Sequence, residues 1–216
     1  SSDVCSSDLC ATILESRFHR MGDGGKSLLR SAGRAIPGVD VRIVNEAMAE
    51  QPMGEVGEIA VRSPGAMLGY WKQPELTRQT IVDGWLRTGD AGYMDENGFV
   101  YLVDRVKDMI ISGGENVFSA EVENALAGHP AIAECAVIGV PDQRWGERVH
   151  AIVRLREGTS VTEDDVIAHC KTLIAGYKCP RSVEFRQEPL PLSAAGKILK
   201  SELRKPYWQD GARHIN

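Results

Sequence analysis

An α+β fold in two parts is what this 216-residue sequence predicts, and three patterns predict it. Apolar Val39, Val41 and Ile43 alternate with Asp40 and Arg42, and Ile59 and Val61 with Glu58 and Arg62, the two-residue period of half-buried antiparallel strands. Asp95-Glu96-Asn97-Gly98 separates two apolar runs, 91–94 and 99–103, as a hairpin turn does. Past Lys107, strands and helices segregate along the chain, the mark of an α+β unit. The change of pattern at 105–107 sets a boundary there, between a β-rich part and a compact unit of about 100 residues.

The elements follow in order. Residues 1–9 hold Ser-Ser-Asp twice around Val4-Cys5, a polar near-repeat without helical or strand period; we read them as a non-native scar or assembly artefact. Pro74 opens a short helix to about Ile81, since its missing N–H costs nothing at the first helical position. Residues 109–112 and Val117-Phe118 flank a turn at Gly113-Gly114-Glu115-Asn116. Ser119 then caps a helix to about Ala127, stopped by Gly128 and Pro130. Runs 135–140 and 149–155 read as strands. Thr162 with Asp165 makes a capping box, and Val166, Ile167, Cys170, Leu173 and Ile174 line one helical face before Gly176.

Composition narrows the function. Hydrophobic residues at 43% and charged residues at 25%, with a net charge of −5 and the two signs interspersed, offer no basic field for nucleic acid. No apolar run approaches the roughly 20 residues that span a bilayer. Five cysteines, at 5, 10, 135, 170 and 179, show no metal-ligand spacing, and buried thiols in a reducing cytoplasm are the expectation. The five histidines are scattered singly and carry no triad or metal set. Gly22-Asp23-Gly24-Gly25-Lys26-Ser27 ends like a Walker loop but has Arg20 where that motif needs glycine, so it reads as an ordinary loop.

Four places carry chemistry. Asp90 follows Thr88-Gly89, and a carboxylate presented by a glycine turn can accept hydrogen bonds from two vicinal hydroxyls; an ordinary turn aspartate is the plainer reading. Arg105, a permanent planar cation, suits sugar or phosphate oxygens, with surface pairing to Asp104 or Asp108 as the alternative. Gly113 and Gly114 allow positive φ and close backbone approach, as any tight hairpin would. Lys197 follows Gly196 in a polar stretch that reads as a flexible loop, able to carry an ammonium into a cleft where anionic oxygens gather; alone, it is a solvated lysine.

Together, Trp85-Leu86-Arg87-Thr88-Gly89-Asp90, Asp104-Arg105-Val106-Lys107-Asp108 and Ala195-Gly196-Lys197-Ile198-Leu199-Lys200 resemble the adenylate-forming superfamily, in its acyl-CoA synthetase (fatty-acid–CoA ligase, AMP-binding) branch. The resemblance runs from about Ser31 to Tyr207, without the family's phosphate loop and Tyr-Gly-x-Thr-Glu segment. It implies a C-terminal portion: 10–104 the distal part of the AMP-binding domain, 105–107 a hinge, 108–206 the C-terminal domain and 207–216 a tail. It further implies that Asp90 holds the ribose, Arg105 contacts the nucleotide, Lys107 is the hinge, Gly113 and Gly114 line the CoA tunnel, and Lys197 is catalytic. The implied reaction joins a carboxylic acid to CoA with ATP, releasing AMP and pyrophosphate, with Mg²⁺ held mainly upstream and this portion inactive by itself. Two alternatives stand beside it: a non-catalytic folded module, and the adenylation domain of a peptide synthetase. Which acid is used, and the oligomeric state, are not legible.

Overall fold

The computed structural model describes residues 10–19 and 28–208, so residues 1–9, the Gly22–Ser27 stretch and His214 lie outside the described residues. The chain divides into two compact units between Val106 and Lys107.

In the first unit, β1 (Thr12–Ile13) pairs with β2 (Arg34–Ala35) as a small antiparallel ladder. The main sheet holds β3 (Asp40–Val44), β4 (Gly57–Arg62), β5 (Ile81–Val82), β6 (Trp85–Met94) and β7 (Val100–Arg105), with α1 (Pro74–Thr80) preceding β5. All its pairings are antiparallel: β3 on β4, β4 on β6, and β5 and β7 on different stretches of β6. Pro74 sits in the first turn of α1, where no backbone donor is lost. One correction concerns β4, expected to be half-buried. Ile59 and Val61 pack with Ile43 and Val100 on one face, while Ala60 packs with Val44 and Trp85 on the other. Glu58 is also buried. A central strand covered on both faces needs apolar or paired residues at every position.

The hairpin between β6 and β7 forms around a three-residue loop rather than a two-residue Asn-Gly turn. The Gly98 amide donates to Asp95 O, the Asp95 amide to Phe99 O, and the Asp95 carboxylate accepts from Asn97 and Phe99 amides. Only Gly98 takes a positive φ, +77°, so this is a type I turn followed by a left-handed residue.

The second unit contains β8 (Ile110–Ser112), β9 (Glu115–Val117), α2 (Ser119–Ala127), β10 (Ile132–Asp142), β11 (Gly146–Leu155), α3 (Glu163–Leu173), β12 (Ser182–Arg186) and α4 (Lys200–Arg204). The sheet order is β10-β11-β8-β9, with β12 parallel to β11. Strand alternation sorts the core. Val137, Val149, Ala151 and Val153 face Val122 and Leu126 of α2 and Val166 and Cys170 of α3. Ala136, Ile138, Val140 and Ile152 face the other side, against Leu190 and Leu203 of α4. Helices on both faces explain why 135–140 reads as an unbroken apolar run.

Thr162 and Asp165 form the expected capping box. Two other readings are corrected. Ser119 is the first residue of α2, not its cap; Phe118, with no polar side-chain atom, holds the cap position, and the Ser119 hydroxyl accepts from the Lys200 ammonium at 2.7 Å. Leu173 is 57% exposed, since α3 ends there and Ile174 turns extended to pack against the core in its place. The thiols are likewise not uniformly buried. Cys170 and Cys179 are, Cys135 is half-buried, and Cys10 is exposed. Burial pushes the Cys170 thiol up to about 11 and, with Glu123 nearby, Cys135 up to about 12, so both stay protonated at neutral pH.

Candidate functional site

The segment Thr88–Asp90 is not an exposed turn. It lies inside β6, at a break in the ladder: Glu58 faces Ala91 and Ala60 faces Arg87, so three residues of β6 oppose Ile59 alone. Such an insertion bends the strand and re-aims its side chains. Gly89 takes φ +73°, a conformation costly for any residue with a Cβ. The Thr88 hydroxyl donates to Ile59 O at 2.7 Å and accepts the Asp90 amide at 3.1 Å.

Asp90 and Arg105 are cross-strand partners on β6 and β7, and Arg105 Nε meets Asp90 Oδ1 at 2.7 Å. The pairing is thus neither of those weighed from sequence: Asp104 accepts the Arg105 backbone amide, and Asp108 binds Arg204 at 2.7 Å. Thr88, Asp90 and Arg105 line a cavity of about 270 Å³ whose remaining wall includes Val41, Ile59 and Val100. The lining combines the charged Asp90 and Arg105 with mostly apolar side chains. A partly exposed carboxylate and guanidinium held side by side present an acceptor and a donor fork to a polyhydroxylated ligand.

The residue that sequence reasoning missed is Glu58. Its carboxylate, 8% exposed, takes Arg87 Nη2 at 2.6 Å and Nε at 2.8 Å on one oxygen and the Gly89 amide at 3.0 Å on the other. In the strand pattern it looks like an ordinary solvent-facing position. The available signal was a negative one: Ala60 two residues on is not polar, so that face of β4 is not a solvent face.

The other sequence-predicted residues belong to the second unit. Lys107 is exposed in a 3₁₀ turn, Val106–Asp108. Gly113 and Gly114 join β8 to β9 in a two-residue turn with φ +64° and +85°, narrower than the four residues read from sequence and of the type in which both central residues need positive φ. The Gly113 amide donates to Trp145 O at 2.9 Å, and a Cβ on Gly113 would lie 2.6 Å from the Trp145 ring. That ring carries Arg144 and Arg181 guanidinium groups at 4.7 and 4.4 Å.

Lys197 is exposed, but its loop is more ordered than a flexible tether. The Ser193 amide donates to Lys197 O at 2.7 Å, the Lys197 amide to Ser193 Oγ at 3.1 Å, and Leu192 bridges Ile198. The segment that follows is anchored three times. Lys200 Nζ reaches Glu123 at 2.7 Å as well as Ser119, Arg204 pairs with Asp108, and Tyr207 donates to Glu184. An ammonium on a short hairpin above such anchors is presented to solvent from a defined base. The histidines are not all solitary: His129 and His169 rings meet edge-on at 4.9 Å. Among the described residues, no three His, Cys, Asp or Glu side chains form a metal-holding group, and no helix is long and apolar enough to cross a membrane.

Comparison with known proteins places these segments. Residues 7–71 match the family described as AMP-binding enzyme, and residues 121–197, ending at Lys197, match the AMP-binding enzyme C-terminal domain. A fatty acid–[acyl-carrier-protein] ligase, ScoC, of Streptomyces coeruleorubidus is 45% identical over 192 residues, 89% of this chain and 37% of its own length. A feruloyl-CoA synthase of Amycolatopsis sp. is 49% identical over 168 residues, 78% of this chain and 34% of its own. The ATP-bound crystal structure of MatB from Rhodopseudomonas palustris superposes with a TM-score of 0.77 at 37% identity, covering 85% of this chain and 37% of that one. The chain therefore spans little more than a third of the length of the relatives it matches. With both family segments present in order, on an α+β fold shared with solved adenylate-forming enzymes, the chain belongs to the AMP-binding enzyme family.

Proposed function

We propose that this chain contributes the ribose-contacting strands and the lysine-bearing unit of a cytoplasmic ATP-dependent acyl-CoA synthetase acting on a fatty or related acyl acid. In the first half-reaction, a substrate carboxylate oxygen bonds to the α-phosphorus of ATP and the bond to pyrophosphate breaks. In the second, the CoA thiol gives up its proton as its sulfur bonds to the acyl carbon, and AMP leaves with the electron pair of the broken acyl–phosphate bond. The observation that carries the reading is the Asp90–Arg105 pair, held at 2.7 Å on the strand break beside an apolar-walled cavity. Asp90 would accept from the ribose hydroxyls, and Arg105 would hold Asp90 and offer its remaining N–H groups to sugar or phosphate oxygens. Lys197 would bring one positive charge to the oxygens of the adenylation transition state. The Gly113–Gly114 turn, free of side chains, would let the pantetheine arm pass close to the backbone.

The relatives' names carry two thiol acceptors, CoA and an acyl carrier protein; we commit to CoA. Mg²⁺ would be held by the ATP phosphates and mainly by residues upstream of this portion, since among the described residues no three His, Cys, Asp or Glu side chains gather.

Lys197→Ala is the test. In an enzyme containing this chain and a phosphate loop, acid-dependent pyrophosphate exchange should fall about 100-fold or more, the loss expected from removing one transition-state charge partner. Formation of thioester from preformed acyl-adenylate and CoA should be spared. Equal loss in both half-reactions would make Lys197 a structural residue.

A further inference from the structure

We infer that Glu58 is a positioning residue for nucleotide recognition, setting the carboxylate of Asp90 through the backbone of Gly89; the inference rests on the nucleotide reading above. Where the β4–β6 ladder opens, strand backbone groups lose their usual partners and must find others. Side chains supply them. Thr88 Oγ1 binds Ile59 O and takes the Asp90 amide, and Glu58 Oε1 takes the Gly89 amide at 3.0 Å. Gly89 is the residue at φ +73° that turns the chain into the position where Asp90 meets Arg105 at 2.7 Å. Glu58 is itself aligned by the fork of Arg87, whose Nε and Nη2 both reach Oε2. A chain of contacts thus runs from Arg87 through Glu58 and Gly89 to Asp90.

Stability is a poor explanation for an ion pair whose carboxylate is buried and whose guanidinium is half-buried. Desolvating two charges offsets most of their attraction, and well-packed apolar residues in such places often serve as well or better. Holding a carboxylate to within a fraction of an ångström for ligand recognition does require a rigid support behind it. Glu58 is placed to be that support.

The prediction separates fold from recognition. Binding of AMP and of 2′,3′-dideoxyadenosine monophosphate to the full chain is measured by NMR titration, alongside urea denaturation. Wild-type protein should prefer AMP by about tenfold, the loss of roughly one charge-assisted hydrogen-bond set. The double variant Glu58→Met/Arg87→Leu, apolar and of similar volume, leaves the Gly89 amide without its carboxylate acceptor and so should lower the denaturation midpoint modestly, while keeping the affinity for the dideoxy nucleotide but losing the preference. Glu58→Gln, which keeps an acceptor for Gly89 but weakens the tie to Arg87, should lose part of it and serves if the double variant does not fold. A folded variant that retains the wild-type ratio, or loses both nucleotides equally, overturns the role of Glu58. A wild-type chain without any preference overturns the ribose reading of Asp90 and this inference with it.

Discussion

The chemistry of single residues here is set by what burial does to them. His150 on β11 is 5% exposed, with Nδ1 at 2.7 Å from Ser182 Oγ and Nε2 at 2.9 Å from Tyr207 Oη. Tyr207 donates its own proton to Glu184, so its oxygen is left to accept from Nε2–H, and Nδ1 accepts from Ser182; a neutral imidazole satisfies every partner. Burial lowers the His150 pKa below its ordinary 6.5, against the opposing pull of Glu184 and Glu163 and with help from Arg148. Burial and Glu184 push Tyr207 up to about 12. Below the unfolded pKa the unfolded chain takes up a proton that the folded chain refuses, so stability falls as pH falls through about 6.5. The unfolding free energy should therefore decline as the pH falls through about 6.5 and on toward the lowered folded-state pKa, by about 1.4 kcal/mol for each unit the pKa is lowered, and His150→Gln should flatten that decline. An unchanged slope in the variant would place the titration elsewhere. None of this was legible in sequence, where His150 is one of five scattered histidines and its partners lie 32 to 57 residues away.

At the scale of elements, the sequence is legible where local chemistry decides and not where tertiary context does. Thr162 and Asp165 cap α3 as their spacing requires, and Pro74 opens α1. Glu58 was misread because strand alternation alone cannot reveal a second buried face. Ser119 starts α2 one residue past the cap position, and its hydroxyl accepts from Lys200, 81 residues away, a contact that local sequence does not reveal. The Gly113–Gly114 turn shows the same division within two adjacent residues. Both have positive φ, so alanine at either should cost roughly 1–2 kcal/mol of backbone strain. Around Gly114 there is open space within 4 Å, whereas a Cβ on Gly113 meets the Trp145 ring at 2.6 Å. Gly113→Ala should therefore cost a further ~1–3 kcal/mol of overpacking. Chemical denaturation of the two variants measures the difference, and equal costs would mean that the ring, held between Arg144 and Arg181, moves aside freely.

At the scale of the whole molecule, the chain changes character at one point. β7 ends at Arg105, a 3₁₀ turn covers Val106–Asp108, and within that turn the first unit ends at Val106 and the second begins at Lys107. Asp108, next in sequence, is tied within the second unit by Arg204 at 2.7 Å, with both side chains 14% exposed. On its other side, Arg105 is tied within the first unit by Asp90. Between those two residues lie only Val106 and Lys107, in the 3₁₀ turn where one unit gives way to the other. We propose Lys107 as the hinge between the two half-reactions, on the principle that hinges are a few element-terminal positions absorbing the φ/ψ change. Lys107→Pro fixes φ near −65° and should hold one arrangement of the units. If the held arrangement is the adenylating one, pyrophosphate exchange survives while thioester formation collapses, the reverse of the Lys197→Ala pattern. If it is the thioester-forming one, preformed acyl-adenylate is still consumed while exchange is lost. Because the variant keeps the Asp90–Arg105 and Asp108–Arg204 pairs, circular dichroism and the denaturation midpoint should stay near wild type. A folded variant with near-normal rates in both half-reactions would show that the chain pivots elsewhere, and Lys107 would be an ordinary solvated lysine.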